Sequence, residues 1–509
     1  MSAHDRLGLA FPQVWEPFGW PGYAELQEVR QSWVLRALLA FGWTVHDVVN
    51  RQDAKEFLAA AWKGWRVVER TEAARQEQAY RDYIAWVARM MGDMTPASAR
   101  SGLTAGGVDK LRWTFFVDGM PFDGAAPELK ALGGSETAGL HLARALAARG
   151  HEVHLFCRTD KEADHDGVRY HGIQHYIEWT SNVVHDVAVV QRVPHPLTLP
   201  IAAPVRLLWV HDLALKRTAD PMRGILWACD RVMVLSQFMK RQYQNVYGLP
   251  DSALHVTRNG IDLRMLEAAP GPPEGVRDMK ALVFTARPER GMDIVLEETF
   301  PRLLREDPEL RLYLAGYANY PDFLRPLYDK CQRLIDRFAG RVRHLGPLSK
   351  QDLYKLYKTA ALYIYPTDFE EISCITAMEC MAVGLPIVAS DLAALTETVA
   401  PGAGVLVGHP SEPGTAMKEL GTGGAVAQAD GSWRMPGLEL FDPKKGARSK
   451  YYQEVFVRAC LRLLRDPEAW AAASRAGQEA AKALDWDGVA AEWEALVGGL
   501  VREEALVRA

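Results

Sequence analysis

Two rhythms of apolar residues divide this 509-residue chain. Over Leu26–Val49 and Ala54–Met91 apolar residues recur at three- and four-residue spacing, the period of an amphipathic helix. From Arg112 onward, short and nearly continuous apolar runs alternate with helical stretches. Trp113–Val117 (WTFFV) and Glu152–Cys157 (EVHLFC) read as strands. Between them Thr137–Arg149 reads as a helix stopped by Gly150, since glycine takes the left-handed conformation of a C-cap without steric cost. Val187–Val190, Arg206–Val210 and Arg231–Leu235 continue the series. A Pro/Gly-rich stretch, 268–276, interrupts it. Strands then follow at Ala281–Thr285, Leu310–Ala315, Val342–Leu345, Ala361–Tyr365 and Pro386–Ala389, with helices near 293–305, 322–338, 350–359 and 374–383. Apolar strands separated by helices build a parallel sheet covered on both faces.

The pattern predicts four parts. Residues 1–109 form a mainly helical extension, joined through the small-residue linker 92–107. Residues 110–272 and 273–484 form two doubly wound α/β domains, the second with an irregular Gly- and Pro-rich insertion at about 408–450. Residues 485–509 form a C-terminal helix. Ligands of such sheets bind in the crevice beyond the carboxyl ends of the strands.

Composition narrows the function classes. With 59 basic against 64 acidic residues the net charge is −5, which argues against a grip on nucleic acid or membrane by bulk charge. No apolar run is long enough to span a bilayer, and the N-terminus lacks a basic-then-apolar signal pattern, so a cytoplasmic location is expected. The six cysteines (157, 229, 331, 374, 380, 460) form no C-x-x-C and read as reduced thiols. Seven of the 15 tryptophans lie before residue 110 and are expected in a core.

The chemistry concentrates in Asp368–Val388 (DFEEISCITAMECMAVGLPIV). Glu371 falls in the loop after a strand, and Glu379 in the following helix. The start of that helix, Ser373, Cys374, Ile375 and Thr376, offers backbone N–H groups and the positive end of a dipole, a site for phosphate. Flanking carboxylates suit sugar and ribose hydroxyls, because an ionised carboxylate only accepts hydrogen bonds. Arg287 and Arg290, at a strand end, can neutralise a diphosphate. Gly133 and Gly134 let a backbone approach a ligand closely. His211, at another strand end, can hydrogen-bond a sugar hydroxyl or be held structurally by Asp212. Ser236 reads as a helix N-cap, and Asn259–Gly260 as a turn.

Glu371 and Glu379 with seven residues between them, followed by Ala382–Val388 (AVGLPIV), resemble the signature of the retaining glycosyltransferases of family 4. Gly133-Gly134-Ser135-Glu136, Gly150-His151-Glu152-Val153, Arg258–Asp262 (RNGID), Ala286–Gly291 (ARPERG), Gly346-Pro347-Leu348 and Trp486 agree with that family in order. The resemblance covers about residues 112–500. It implies the GT-B fold, two Rossmann-like domains facing a central cleft, with residues 1–109 as an addition. The family usually carries Lys at the second basic position, where this chain has Arg290; arginine keeps the charge in a planar fork.

By that resemblance the co-substrate is a nucleoside diphosphate sugar, bound mainly by the second domain, and no metal or other cofactor is needed. Glu371, Arg287, Arg290 and His211 are the candidate catalytic residues. Gly133, Gly134, Ser373, Cys374, Ile375, Thr376 and Glu379 are the candidate donor-binding residues, with Glu379 on the ribose and Glu371 on the sugar ring. The reaction is expected to retain the anomeric configuration, the leaving phosphate helping to deprotonate the acceptor. Other readings are a hydrolase or phosphorylase-like enzyme of the same fold, and a non-catalytic nucleotide-sugar-binding module. The acceptor stays open among glycan, small molecule, protein and modified nucleic acid; the basic residues Arg206, Lys216, Arg217, Lys444, Lys445, Arg448 and Lys450 permit the last.

Overall fold

The computed structural model describes residues 110–126, 132–198, 201, 203–215, 222, 228–272, 275–316, 324–409, 426–427, 433–434 and 443–508. The helical extension expected over 1–109, its linker, Lys216 and Arg217 lie outside the described residues.

Two parallel sheets organise the chain. The first holds β1 (Arg112–Val117), β2 (Glu152–Cys157), β3 (Ala163–His165), β4 (Val168–Gly172), β5 (Val187–Gln191), β6 (Val205–Trp209), β7 (Arg231–Val234) and β8 (Leu254–Val256). Its order is β3-β4-β2-β1-β5-β6-β7-β8, and every pairing is parallel except the β3–β4 hairpin. β1 sits inside the sheet because it is apolar on both faces: Trp113 and Phe115 on one side and Thr114, Phe116 on the other are all buried.

The second sheet holds β9 (Asp278–Phe284), β10 (Arg311–Leu314), β11 (Val342–His344), β12 (Ala360–Tyr365), β13 (Ile387–Asp391) and β14 (Gly404–Gly408), in the order β11-β10-β9-β12-β13-β14. β12 is buried at every position. The strand order reverses between β9 and β12, so the crevice of this sheet opens at their carboxyl ends. Arg287, Arg290 and Glu371 lie in the two loops that follow these strands.

Helices cover both sheets. α1 (Gly134–Ala148) follows β1, and α2 (Tyr176–Asn182) follows β4. α3 (Gln237–Tyr247) follows β7; Ser236 caps it by accepting from the Met239 N–H, as the sequence suggests, and Gly248 ends it at φ 68°. α4 (Leu263–Ala268) leads into the second unit. There a helical segment over 292–306 (α5) contains a π turn, Val295–Thr299. α6 (Arg325–Arg337), α7 (Lys350–Thr359), α8 (Ile375–Ala382) and α9 (Leu395–Thr398) follow. Most of the insertion at 408–450 lies outside the described residues; β14 immediately before it is a strand the pattern did not predict.

The chain then crosses back. α10 (Lys450–Arg465) and α11 (Pro467–Ala481) pack on the second core, while α12 (Trp486–Arg508) packs on the first. Trp493 meets Trp209 edge to face at 5.0 Å and donates its indole N–H to Thr257. At the crossing, Ile261 pairs with the 484–485 backbone, and Trp486 packs closely against Gly260. A Cβ at position 260 would sit 2.7 Å from the Trp486 ring, so that turn needs glycine.

Candidate active site

Glu371 is the centre of the cluster. Its Oε1 accepts from Arg290 Nη1 at 2.8 Å and from the Tyr365 hydroxyl at 2.5 Å. Glu371 is 4% exposed, and the Arg290 guanidinium also lies 4.4 Å from the centre of the Phe369 ring. Burial opposes the charge of Arg290, but Glu371 outweighs it and holds the guanidinium's pKa above its ordinary value. Burial, and then the Glu371 charge, push the Tyr365 phenol up. Gly291, at φ 112°, makes the turn that aims Arg290; a Cβ there would meet the Pro366 carbonyl at 2.6 Å. Arg287, on the same turn, pairs with Glu289 at 2.6 Å.

Glu379, on α8, is 2% exposed. Its Oε1 accepts from Lys350 Nζ and from the Tyr354 hydroxyl at 3.0 Å, both on α7. Among the described residues, Oε2 of neither Glu371 nor Glu379 accepts a hydrogen bond. Each carboxylate is anchored by one oxygen and keeps the other.

Ser373, Cys374, Ile375 and Thr376 form the turn into α8, with Cys374 at the cap in extended conformation and no side chain closing the helix end. The Ser373 carbonyl accepts from Asn259 Nδ2 at 3.4 Å, tying this turn to the end of the first unit. Gly134 faces Ile375: a Cβ at 134 would lie 3.9 Å from the isoleucine Cδ1. The glycine loop of the first sheet and the α8 turn of the second therefore meet across the cleft. Gly133 has ordinary backbone angles (φ −64°, ψ 161°), and its constraint is the buried Glu136 carboxylate, 2.3 Å from where a Cβ would stand. Glu136 in turn accepts from the Met120 N–H at 2.8 Å.

His211 follows β6 and stands on the first-sheet wall. Asp212 does not hold it. The Asp212 carboxylate is bound by two bonds from Arg192, at 2.8 and 2.9 Å, while His211 Nε2 is 2.7 Å from Gln191 Nε2. Burial, and then the Arg192 charge, keep the imidazole pKa well below its ordinary value. Arg192 has φ 66°, a conformation few non-glycine residues adopt, and burial of its charge is outweighed by Asp212.

A second contact bridges the two walls. Glu397 on α9 accepts from the backbone N–H groups of Gln237 and Phe238, each at 2.7 Å, at the start of α3. Gln242 Nε2 reaches Glu370 at 3.2 Å beside it.

The candidates thus fall in two groups on facing walls: Glu371, Arg290, Arg287, Glu379 and 373–376 on the second, His211, Gly133 and Gly134 on the first. Sequence reasoning did not single out Tyr365, Lys350, Tyr354, Gln191 or Glu397. Tyr365 carried a signal, a hydroxyl at the end of the strand preceding Glu371. The others are distant in sequence from the groups they hold. Among the described residues, no cluster of three or more His, Cys, Asp or Glu is placed to hold a metal ion, and no helix is long and apolar enough to cross a membrane.

Two parallel-sheet units with a cleft between them define the GT-B class, and solved structures agree. Sucrose-phosphate synthase from Thermosynechococcus elongatus covers 78% of this chain and 100% of its own at a TM-score of 0.55 and 16% identity. Anabaena Alr3699/HepE in complex with UDP and glucose covers 76% and 99% at 0.53 and 15%. Family models match in the expected order: Glycosyltransferase Family 4 over 132–221 and Glycosyl transferases group 1 over 280–421. Over these two stretches the chain is similar to GT4-like glycosyltransferases, and the solved structures share its fold. A D-inositol 3-phosphate glycosyltransferase of Mycolicibacterium smegmatis (strain ATCC 700084 / mc(2)155) is 30% identical over 193 residues, 35% of this chain and 42% of that protein. The chain covers less than two thirds of the length of each of the first curated relatives it matches.

Proposed function

We propose that this protein transfers a sugar from a nucleoside diphosphate sugar to an acceptor hydroxyl with retention of configuration, without a metal ion. One observation carries the reading. Glu371 and Glu379 flank the start of α8, each anchored through Oε1 with Oε2 uncommitted among the described residues, and Arg290 stands beside the first. The uncommitted oxygens suit hydroxyls, Glu379 the ribose and Glu371 the sugar. Arg290, Arg287 and the N–H groups at 373–376 suit the diphosphate. As the glycosidic bond breaks, negative charge grows on the leaving phosphate, and donors already aimed there lower the barrier by several kcal/mol. The catalytic and donor-binding roles given to these residues are part of the proposal, as are the division at 272/273 and a cytoplasmic location.

The test is donor hydrolysis and thermal shift with UDP-, GDP-, ADP- and TDP-sugars in the absence of metal, with Glu371→Ala as control. Stabilisation by one donor, with slow turnover that the control loses, is the expected result. Binding to none of them rejects the sugar-nucleotide assignment, and binding without turnover favours a non-catalytic module.

A further inference from the structure

We propose that Gln191 is a positioning residue that fixes His211 as a neutral Nδ1–H hydrogen-bond donor toward the sugar of the donor substrate. The proposal rests on the glycosyltransferase reading above for the identity of the sugar. The tautomer itself follows from the geometry.

Gln191 ends β5 and is 1% exposed. Its Nε2 lies 2.8 Å from the Ser135 carbonyl oxygen and 2.7 Å from His211 Nε2. An amide nitrogen carries two hydrogens and accepts none. One goes to Ser135, so the other points at His211 Nε2, which must be the bare nitrogen of the ring. Turning the amide over would set its oxygen against the Ser135 carbonyl, two acceptors at hydrogen-bond distance with no proton between them. The Ser135 carbonyl therefore decides the amide orientation, and the amide decides the tautomer.

A neutral imidazole has one N–H. With Nε2 accepting, that hydrogen is on Nδ1, which has no partner among the described residues, and the ring is only partly buried. The surroundings oppose a second proton. Arg192 sets a positive charge next to the ring, and the carboxylate that would balance an imidazolium, Asp212, is engaged by Arg192 on both oxygens. The Tyr243 hydroxyl is spent on the Asp212 carbonyl at 3.0 Å, and the Trp209 ring lies tilted against the imidazole at 4.6 Å between centroids. Glu136 and Asp118 add their fields to Arg192 without touching the ring.

Two consequences follow for the reaction. His211 does not serve as the base that deprotonates the acceptor, because Nε2 is covered by the amide and Nδ1 already carries its proton. The same amide also ties His211 to Ser135, the residue after Gly133 and Gly134, so the glycine loop and the histidine move as one unit.

The test is ¹⁵N NMR of the histidine side chains in the full chain, with His211→Gln assigning the signals. In the wild type, His211 Nε2 should show the shift of an unprotonated ring nitrogen and Nδ1 that of an N–H, with no titration between about pH 5 and 8. In Gln191→Glu the new carboxylate accepts a hydrogen bond, so the proton should move to Nε2 and the ring should titrate inside that range. In Gln191→Met, which removes the amide without adding charge, both tautomers should appear. Donor turnover should fall by about a hundredfold in Gln191→Glu and acquire a new pH dependence. A protonated Nε2 in the wild type, or a tautomer unchanged in both variants, overturns the proposal. No nucleotide sugar binding at all, with the tautomer as described, overturns the sugar as the partner of Nδ1–H and with it the transferase reading, not the action of Gln191 on the ring.

Discussion

Arg290 Nη1 donates to Glu371 Oε1 across 2.8 Å, joining the turn after β9 to the loop after β12. The pair sits at the reversal of strand order in the second sheet, where a parallel sheet exposes the carboxyl ends of its strands. It is partly covered: Glu371 is buried, and the guanidinium rests on Phe369.

Removing the cation should leave the Glu371 carboxylate buried with Tyr365 as its remaining side-chain partner. Arg290→Ala is expected to lower stability by about 2 kcal/mol, the scale of a charge-assisted hydrogen bond. Arg290→Lys should recover part of that and less of the donor turnover, since a point charge replaces a planar fork. Urea unfolding together with donor hydrolysis separates the two effects; an Arg290→Ala variant as stable as wild type would show that the pair does not hold the loop.

Lys350 and Tyr354 hold one oxygen of Glu379. Lys350→Met should let that carboxylate reorient. The KM for the donor is expected to rise by about tenfold with kcat less affected, the signature of lost ground-state binding. A change confined to kcat would place Glu379 at the reacting bond.

Glu397 closes the start of α3 from the opposite wall, where the helix dipole favours a negative charge. Glu397→Ala removes a contact made only when the walls are together. A larger radius of gyration by solution X-ray scattering is expected, at a stability cost of about 1 kcal/mol or less. An identical scattering curve would show that other contacts keep the cleft closed.

His141 on α1 stacks parallel to Trp486 at 6.2 Å and is 6% exposed. Burial, then Arg144 and Lys350, lower its pKa to about 3. Asp262 Oδ2, at 3.8 Å, is too far for a hydrogen bond and does not offset them. The unfolded chain binds this proton near the ordinary pKa of 6.5 and the folded chain only near 3. Stability from this group is thus full above about pH 6.5 and falls as pH drops toward 3, by a few kcal/mol. Thermal melts across that range should show the decline, and His141→Phe should flatten it.

Trp493 donates to Thr257 inside the first core. Thr257→Val keeps the volume and leaves a buried indole N–H without an acceptor, so a loss of about 1–3 kcal/mol is expected. Equal stability in a denaturant titration would mean that water reaches the indole.

Local pattern carried much of the architecture. Glu152–Cys157 and Lys350–Thr359 fall where periodicity places them, because an apolar run between helices records burial residue by residue. The β3–β4 hairpin escaped it: Ala163–His165 is three residues long and lies at the sheet edge, and Val168–Gly172 has only five residues, without a continuous apolar run. Gly404–Gly408 escaped for a related reason, two glycines and an edge position. Arg290, Glu371 and Glu379 stood out as candidates because their residue types and spacing suit phosphate and hydroxyl chemistry, and the fold brings Arg290 to Glu371.

The sequence by itself determined the strand–helix alternation, its interruption near 268–276 and the residue types at each strand end, since these depend on short-range burial and backbone preference. Only the tertiary structure decided that α12 returns to the first core, that Asp212 serves Arg192 and not His211, that Lys350 anchors Glu379, and that one amide at Gln191 faces both Ser135 and His211. Each of these pairs residues 20 or more positions apart. Their meeting is set by how the sheets and helices pack, and no local period along the chain encodes which hydrogen bond a buried polar group will find there.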